Sequence, residues 1–135
     1  MFRSRLAAAI VIAALVAGAV VGLAPLAAAA PAAVAASACV NDLQAAQASN
    51  DAAIAADQAN DTKAAFSSNL NTATLLASAL GDCAGQPPTV GANVLMASAT
   101  NATAIVYNLL GAAGSALSSE RATASSISQA LAGAT

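Results

Sequence analysis

The chain has 135 residues, 59% hydrophobic but only 2% aromatic, with four Lys or Arg, six Asp or Glu and no His. So few bases leave no electrostatic footprint for nucleic acid or for an anionic membrane. The lack of His removes the commonest general base and the commonest metal ligand.

The first third does not read as domain. Met1 to Arg5 is a short basic start, and Leu6 to Leu23 runs without a charge. Pro25, Pro31 and a string of alanines follow. This three-part layout predicts a secretory signal peptide over residues 1–36, cut after Ala36, with Ala29 as the other candidate. Leu6 to Leu23 is also about long enough to cross a bilayer as a helix. An uncleaved anchor is thus the alternative, and a membrane contact is expected only through that segment. Later apolar runs are all broken by Asn, Asp, Ser or Thr.

Residues 37–135 are expected to form one domain. β-branched and aromatic residues are scarce and alanine dominates, so the default element is helix. A first helix is expected from about Val40 to Ala59, with Leu43 and Ile54 on one face alongside Ala46, Gln47 and Asn50. Asn60-Asp61-Thr62 breaks it, since Asn tolerates the left-handed end position and Asp or Thr caps the next helix. A second helix is expected from Lys63 to Leu80, its seam being Phe66, Leu70, Ala73, Ala77 and Leu80. Gly81 is expected to end it.

Residues 84–89 carry Gly85, Pro87 and Pro88 and form the predicted linker. A third helix is expected from near Gly91, with Leu95, Ala99, Ala102, Val106, Leu109 and Ala113 inward and Asn93, Asn101 and Asn108 wet. Gly111 and Gly114 interrupt it. A fourth, Ser115 to Leu131, carries Leu117, Ala124, Ile127 and Leu131, with Glu120 falling awkwardly into its seam. The second half, 90–132, repeats the layout of the first without an evident residue-level repeat.

The two cysteines, Cys39 and Cys83, fix the topology. Forty-four residues of unbroken helix would part them by about 66 Å. A disulfide needs Cα atoms about 5–6 Å apart. Asp61 lies midway, so a turn there closes hairpin 39–83 with equal arms. The predicted fold is all-α: a small up-down four-helix bundle or pair of helical hairpins, the first closed by a disulfide. The competing topology is two long helices with a kink at Gly111 to Gly114.

Little in the chain announces chemistry. Cys39 and Cys83 are not a C-x-x-C pair, so a structural disulfide is expected rather than a redox couple. Ala36-Ser37-Ala38-Cys39 loosely fits a lipidation box, which would leave Cys83 unpaired. Asp57 and Asp61 flank the turn without the spacing of a calcium loop, and capping is the expected role. The carboxylates are scattered and expected to be exposed, so no acid–base pair is foreseen. No catalytic, cofactor-binding or metal residue is assigned. The expected role is a secreted, non-enzymatic helical protein that binds an unknown protein or cell-envelope partner, extracellular or wall-associated. The alternatives are a surface-active or lipid-binding helical protein and a helical inhibitor of a secreted enzyme.

Overall fold

The computed structural model describes residues 32–134. The expected leader, its apolar stretch and the Ala29 cut lie outside the described residues. Four helices account for the rest: α1 (Ala32–Gln58), α2 (Thr62–Asp82), α3 (Pro88–Leu109) and α4 (Ala113–Gly133). No strand interrupts them among the described residues. Each helix packs against the two beside it in the ring, and the contact is closest within the hairpins α1–α2 and α3–α4. No described helix is long and apolar enough to cross a membrane.

The turns explain the bundle. Asn60 has φ 59°, and Gly111 has φ 71°. At the first, Asp61 N–H donates to Ala56 O at 2.9 Å and Asn60 N–H to Asp57 O at 3.0 Å. At the second, Ala112 N–H donates to Tyr107 O at 2.9 Å and Gly111 N–H to Asn108 O at 3.1 Å. Both are the same left-handed helix stop, which satisfies the last carbonyls of one helix before the next begins. Asp61 then caps α2, its carboxylate accepting from Ala64 N–H at 3.0 Å. The break at residues 110–112 excludes the two-long-helix alternative.

Several expected boundaries move. Helix α1 begins at Ala32 rather than Val40, because the alanine tract before Cys39 is itself a strong helix former. Helix α3 begins at Pro88 rather than Gly91: proline lacks an N–H that the first turn would leave unpaired anyway. Gly81 and Gly114 lie inside helix ends instead of terminating them.

Every helix faces inward at steps of four and three. The buried rows are Cys39, Leu43, Ala46, Asn50, Ala53 and Asp57 on α1, and Ala65, Asn69, Thr72, Leu76, Ala79 and Cys83 on or just after α2. They continue as Val90, Val94, Ala97, Asn101, Ala104 and Asn108 on α3, and Ala116, Glu120, Thr123, Ile127 and Ala130 on α4. This is a heptad seam, with one of its two rows mostly alanine, so the helices can approach closely.

The expected seams were therefore displaced. On α2 each inward residue precedes the expected one by one position; Phe66, Ala73, Ala77 and Leu80 flank the core half-buried, and Leu70 is exposed. On α3, Leu95 and Ala99 face solvent, whereas Asn101 and Asn108, expected wet, are buried. On α4 only Ile127 of the expected set is fully buried, and Leu117, Ala124 and Leu131 are half-buried. Apolarity alone misleads here because nine of the 25 buried residues among those described are polar or charged. On α1 the expected Leu43, Ala46 and Asn50 are inward, with Gln47 and Ile54 half-buried.

The two halves superimpose in sequence once the inward rows are known. Ala46 and Ala97, Asn50 and Asn101, Ala53 and Ala104, Ala65 and Ala116, Thr72 and Thr123, and Ala79 and Ala130 are each 51 residues apart. Ile54 and Ile105, and Leu80 and Leu131, share that offset, as do the turn residues Asn60 and Gly111. The chain is a repeated hairpin without insertion, a repeat that is hard to see in the sequence because the matching residues are mostly alanine and small polar side chains.

Candidate functional site: a buried carboxyl and asparagine cluster

The bundle has two ends of opposite character. At the open ends of the hairpins, Cys39 and Cys83 are joined, with Cα atoms 4.8 Å apart. Around them lie Leu43, Leu76, Val90, Val94 and Ile127, all buried. Each such side chain contributes roughly 1.5–3 kcal/mol through burial. There are few of them, so the clasp matters: closing a loop with a separation of 44 adds about 4 kcal/mol in the chain-entropy description. Both cysteines are in the disulfide, so Cys39 is not the lipid-bearing residue of the alternative reading.

Toward the turns the inward row becomes polar. Asn50, Asn69, Asn101 and Glu120, one from each helix, are fully buried, and Asp57 and Asn108 lie nearly so one heptad nearer the turns. Asn69 Nδ2 donates to Glu120 Oε1 at 2.7 Å, and Asn108 Nδ2 donates to the same oxygen at 3.3 Å. Asn50 Nδ2 donates to the Glu120 backbone carbonyl at 3.0 Å, and Asn101 Nδ2 to that of Asn69 at 2.9 Å. Beside this layer the Thr100 and Thr123 hydroxyls meet at 2.8 Å.

The cluster has more acceptors than donors. The side-chain oxygens Asn50 Oδ1, Asn69 Oδ1, Asn101 Oδ1, Asn108 Oδ1, both of Asp57 and Glu120 Oε2 are buried without a hydrogen-bond donor. Asn108 and Glu120 both approach the Asp57 carboxyl, yet no N–H is aligned on either Asp57 oxygen. Nor does a base come to it among the described residues: Lys63 and Arg121 are both exposed.

Electrostatics follows from this. Burial, with the Asp57 charge beside it, pushes the Glu120 carboxyl up to about 7, although the Asn69 and Asn108 amides pull the other way. Burial also raises Asp57, while its bond to Glu120 lowers it. Of the two, Glu120 holds the proton and Asp57 accepts it. Asp57 and Glu120 thus depart from the expectation of scattered, exposed carboxylates, whereas Asp51, Asp61 and Asp82 are exposed as expected. A second pair sits at the clasped end, where slight desolvation of the exposed Asp82 and then the neighbouring Asp42 raise the Asp82 carboxyl.

Asp61 takes the capping role expected of it, whereas Asp57 turns inward to the cluster. Among the described residues, no three or more His, Cys, Asp or Glu gather where they could hold a metal ion. The signal that would have revealed the site is the spacing of seven from Asn50 to Asp57 and from Asn101 to Asn108, repeated in both halves. No family model, no curated protein and no solved structure matches the chain.

Proposed function

We infer that the protein is a secreted, non-enzymatic helical component that acts by binding a protein or envelope partner outside the cell. The observation that supports this most directly is the buried Cys39–Cys83 disulfide, since such bonds persist in oxidising compartments. The chemistry-bearing side chains point into the bundle: the thiols are joined and the Asp57–Glu120 pair is buried. What faces outward is mostly Ala, Ser, Thr, Asn, Gln and a few charged side chains, with a small number of exposed apolar ones such as Leu70, Leu95 and Met96.

The lipid-binding alternative fits the interior less well. A bundle that opened onto a lipid surface would have to lay Asn50, Asp57, Asn69, Asn101, Asn108 and Glu120 in its apolar stripe, at several kcal/mol for each unpaired group.

Fractionation of the producing cells, with thiol labelling of the recovered protein, tests the reading. Oxidised protein in the medium or wall fraction that binds isolated cell envelopes but not protein-free lipid vesicles supports it. Protein found in the cytoplasm with two free thiols overturns it, and vesicle binding returns the lipid alternative.

A further inference from the structure

We propose that Asp57 and Glu120, with Asn69 and Asn108, form a site for one hard divalent cation of the Ca²⁺ type, built where the two repeated hairpins meet. The proposal is independent of the binding partner discussed above. Four side chains from four helices touch one another here: Asn69 and Asn108 both bond Glu120 Oε1, and Asp57 meets both Asn108 and Glu120.

Five oxygens of these four side chains are buried with no N–H aligned on any of them. Glu120 Oε1 makes a sixth acceptor. Carboxylate and amide oxygens are hard ligands, and Ca²⁺ takes six to eight of them in loose geometry. Zinc favours imidazole nitrogen or thiolate sulfur, of which the cluster offers none.

Charge argues the same way. Once the proton that Glu120 shares with Asp57 leaves, two ionised carboxylates stand in a bundle core with no buried Lys or Arg among the described residues, at a cost of several kcal/mol each unless neutralised. A single divalent ion neutralises both. Turning over the Asn69 and Asn108 amides would present their oxygens to it in place of their N–H groups. The repeat adds a further argument. The positions Asp57 and Asn108, and Asn69 and Glu120, are equivalent in the two halves, and all four are polar where an apolar side chain would pack with less cost. The site lies just under the Asn60 and Gly111 turns, where Asp57 and Asn108 retain slight exposure. That end is the route of entry.

The test is calorimetric titration of the purified, oxidised protein with CaCl₂ at pH 8, with thermal melts in CaCl₂ and in EDTA. One Ca²⁺ per chain and a melting temperature several degrees higher in CaCl₂ are expected, with Mg²⁺ weaker. Asp57→Asn should abolish both effects. Asn108→Asp, which adds a third carboxylate, should tighten binding at least tenfold and guards against a misfolded Asp57 variant. The double variant Asp42→Asn with Asp82→Asn should change neither effect. No heat and no melting shift, binding that survives Asp57→Asn, an unchanged affinity in Asn108→Asp, or loss in the Asp42 and Asp82 variant would each overturn the proposal.

Discussion

Replacing Glu120 by Gln should make the metal-free protein less sensitive to pH and more stable above neutrality. Glu120 is fully buried, and its carboxyl is raised from 4.5 to about 7. A raised carboxyl favours folding while it is protonated. Its contribution is complete below the unfolded value near 4.5 and is lost as pH rises through about 7. At about 1.4 kcal/mol per pH unit, the wild type gives up roughly 3 kcal/mol between pH 4.5 and 8. For a domain of this size that is a fall in melting temperature of ~12–24 °C. Gln keeps an oxygen for the Asn69 and Asn108 amides, gains a donor toward Asp57, and cannot ionise. Asp57 is also raised by burial, so the variant's curve should flatten in large part but not wholly. Thermal melts of both proteins in EDTA from pH 4 to 8 provide the measurement. A wild-type curve that is flat or rises toward pH 8, or a variant indistinguishable from wild type at pH 8, would refute the electrostatic reasoning.

The repeat predicts a second clasp. Val90 and Ala134 occupy the positions of Cys39 and Cys83, and a Cβ on neighbouring Gly133 would already lie 3.1 Å from Val90 Cγ2. Val90→Cys with Ala134→Cys should therefore oxidise to a disulfide visible by non-reducing mass spectrometry and raise the melting temperature; two persistent thiols would show that the halves differ there. Gly111→Ala should cost about 1–2 kcal/mol in denaturant melts, because a Cβ disfavours the left-handed backbone, whereas Asn60→Gly should be close to neutral. Amide exchange should be faster in 91–131 than in 40–82, since only the first hairpin carries a crosslink; equal protection in the two halves would contradict this.

The turns and the clasp were legible in the sequence because they rest on local chemistry. Asn60 and Gly111 are the residue types that tolerate a positive φ, Asp61 is a good cap, and two cysteines separated by 44 leave one economical topology. The faces of the helices were not legible from apolarity. Leu70, Leu95 and Met96 are exposed, while Asn69, Asn101 and Glu120 are buried, where the Asn69 and Asn101 amides donate across helices to the Glu120 carboxyl and the Asn69 backbone carbonyl. Such partnership is invisible until the helices are placed. Glu120, which fitted its seam poorly, is the residue on which the cluster converges.

The repeated hairpin has a consequence for assembly. Each hairpin packs more closely within itself than against its neighbour, and the connection between them is only the segment 83–87. Two chains could exchange their second hairpins through that hinge and rebuild the same inward rows, cluster included, in a swapped dimer with almost no new contacts. The first hairpin expressed alone meets its own copy under the same rules. It would bring Asn50, Asp57 and Asn69 against their counterparts about a true twofold axis, with two aspartates facing each other where the single chain sets Asp57 against Asn108.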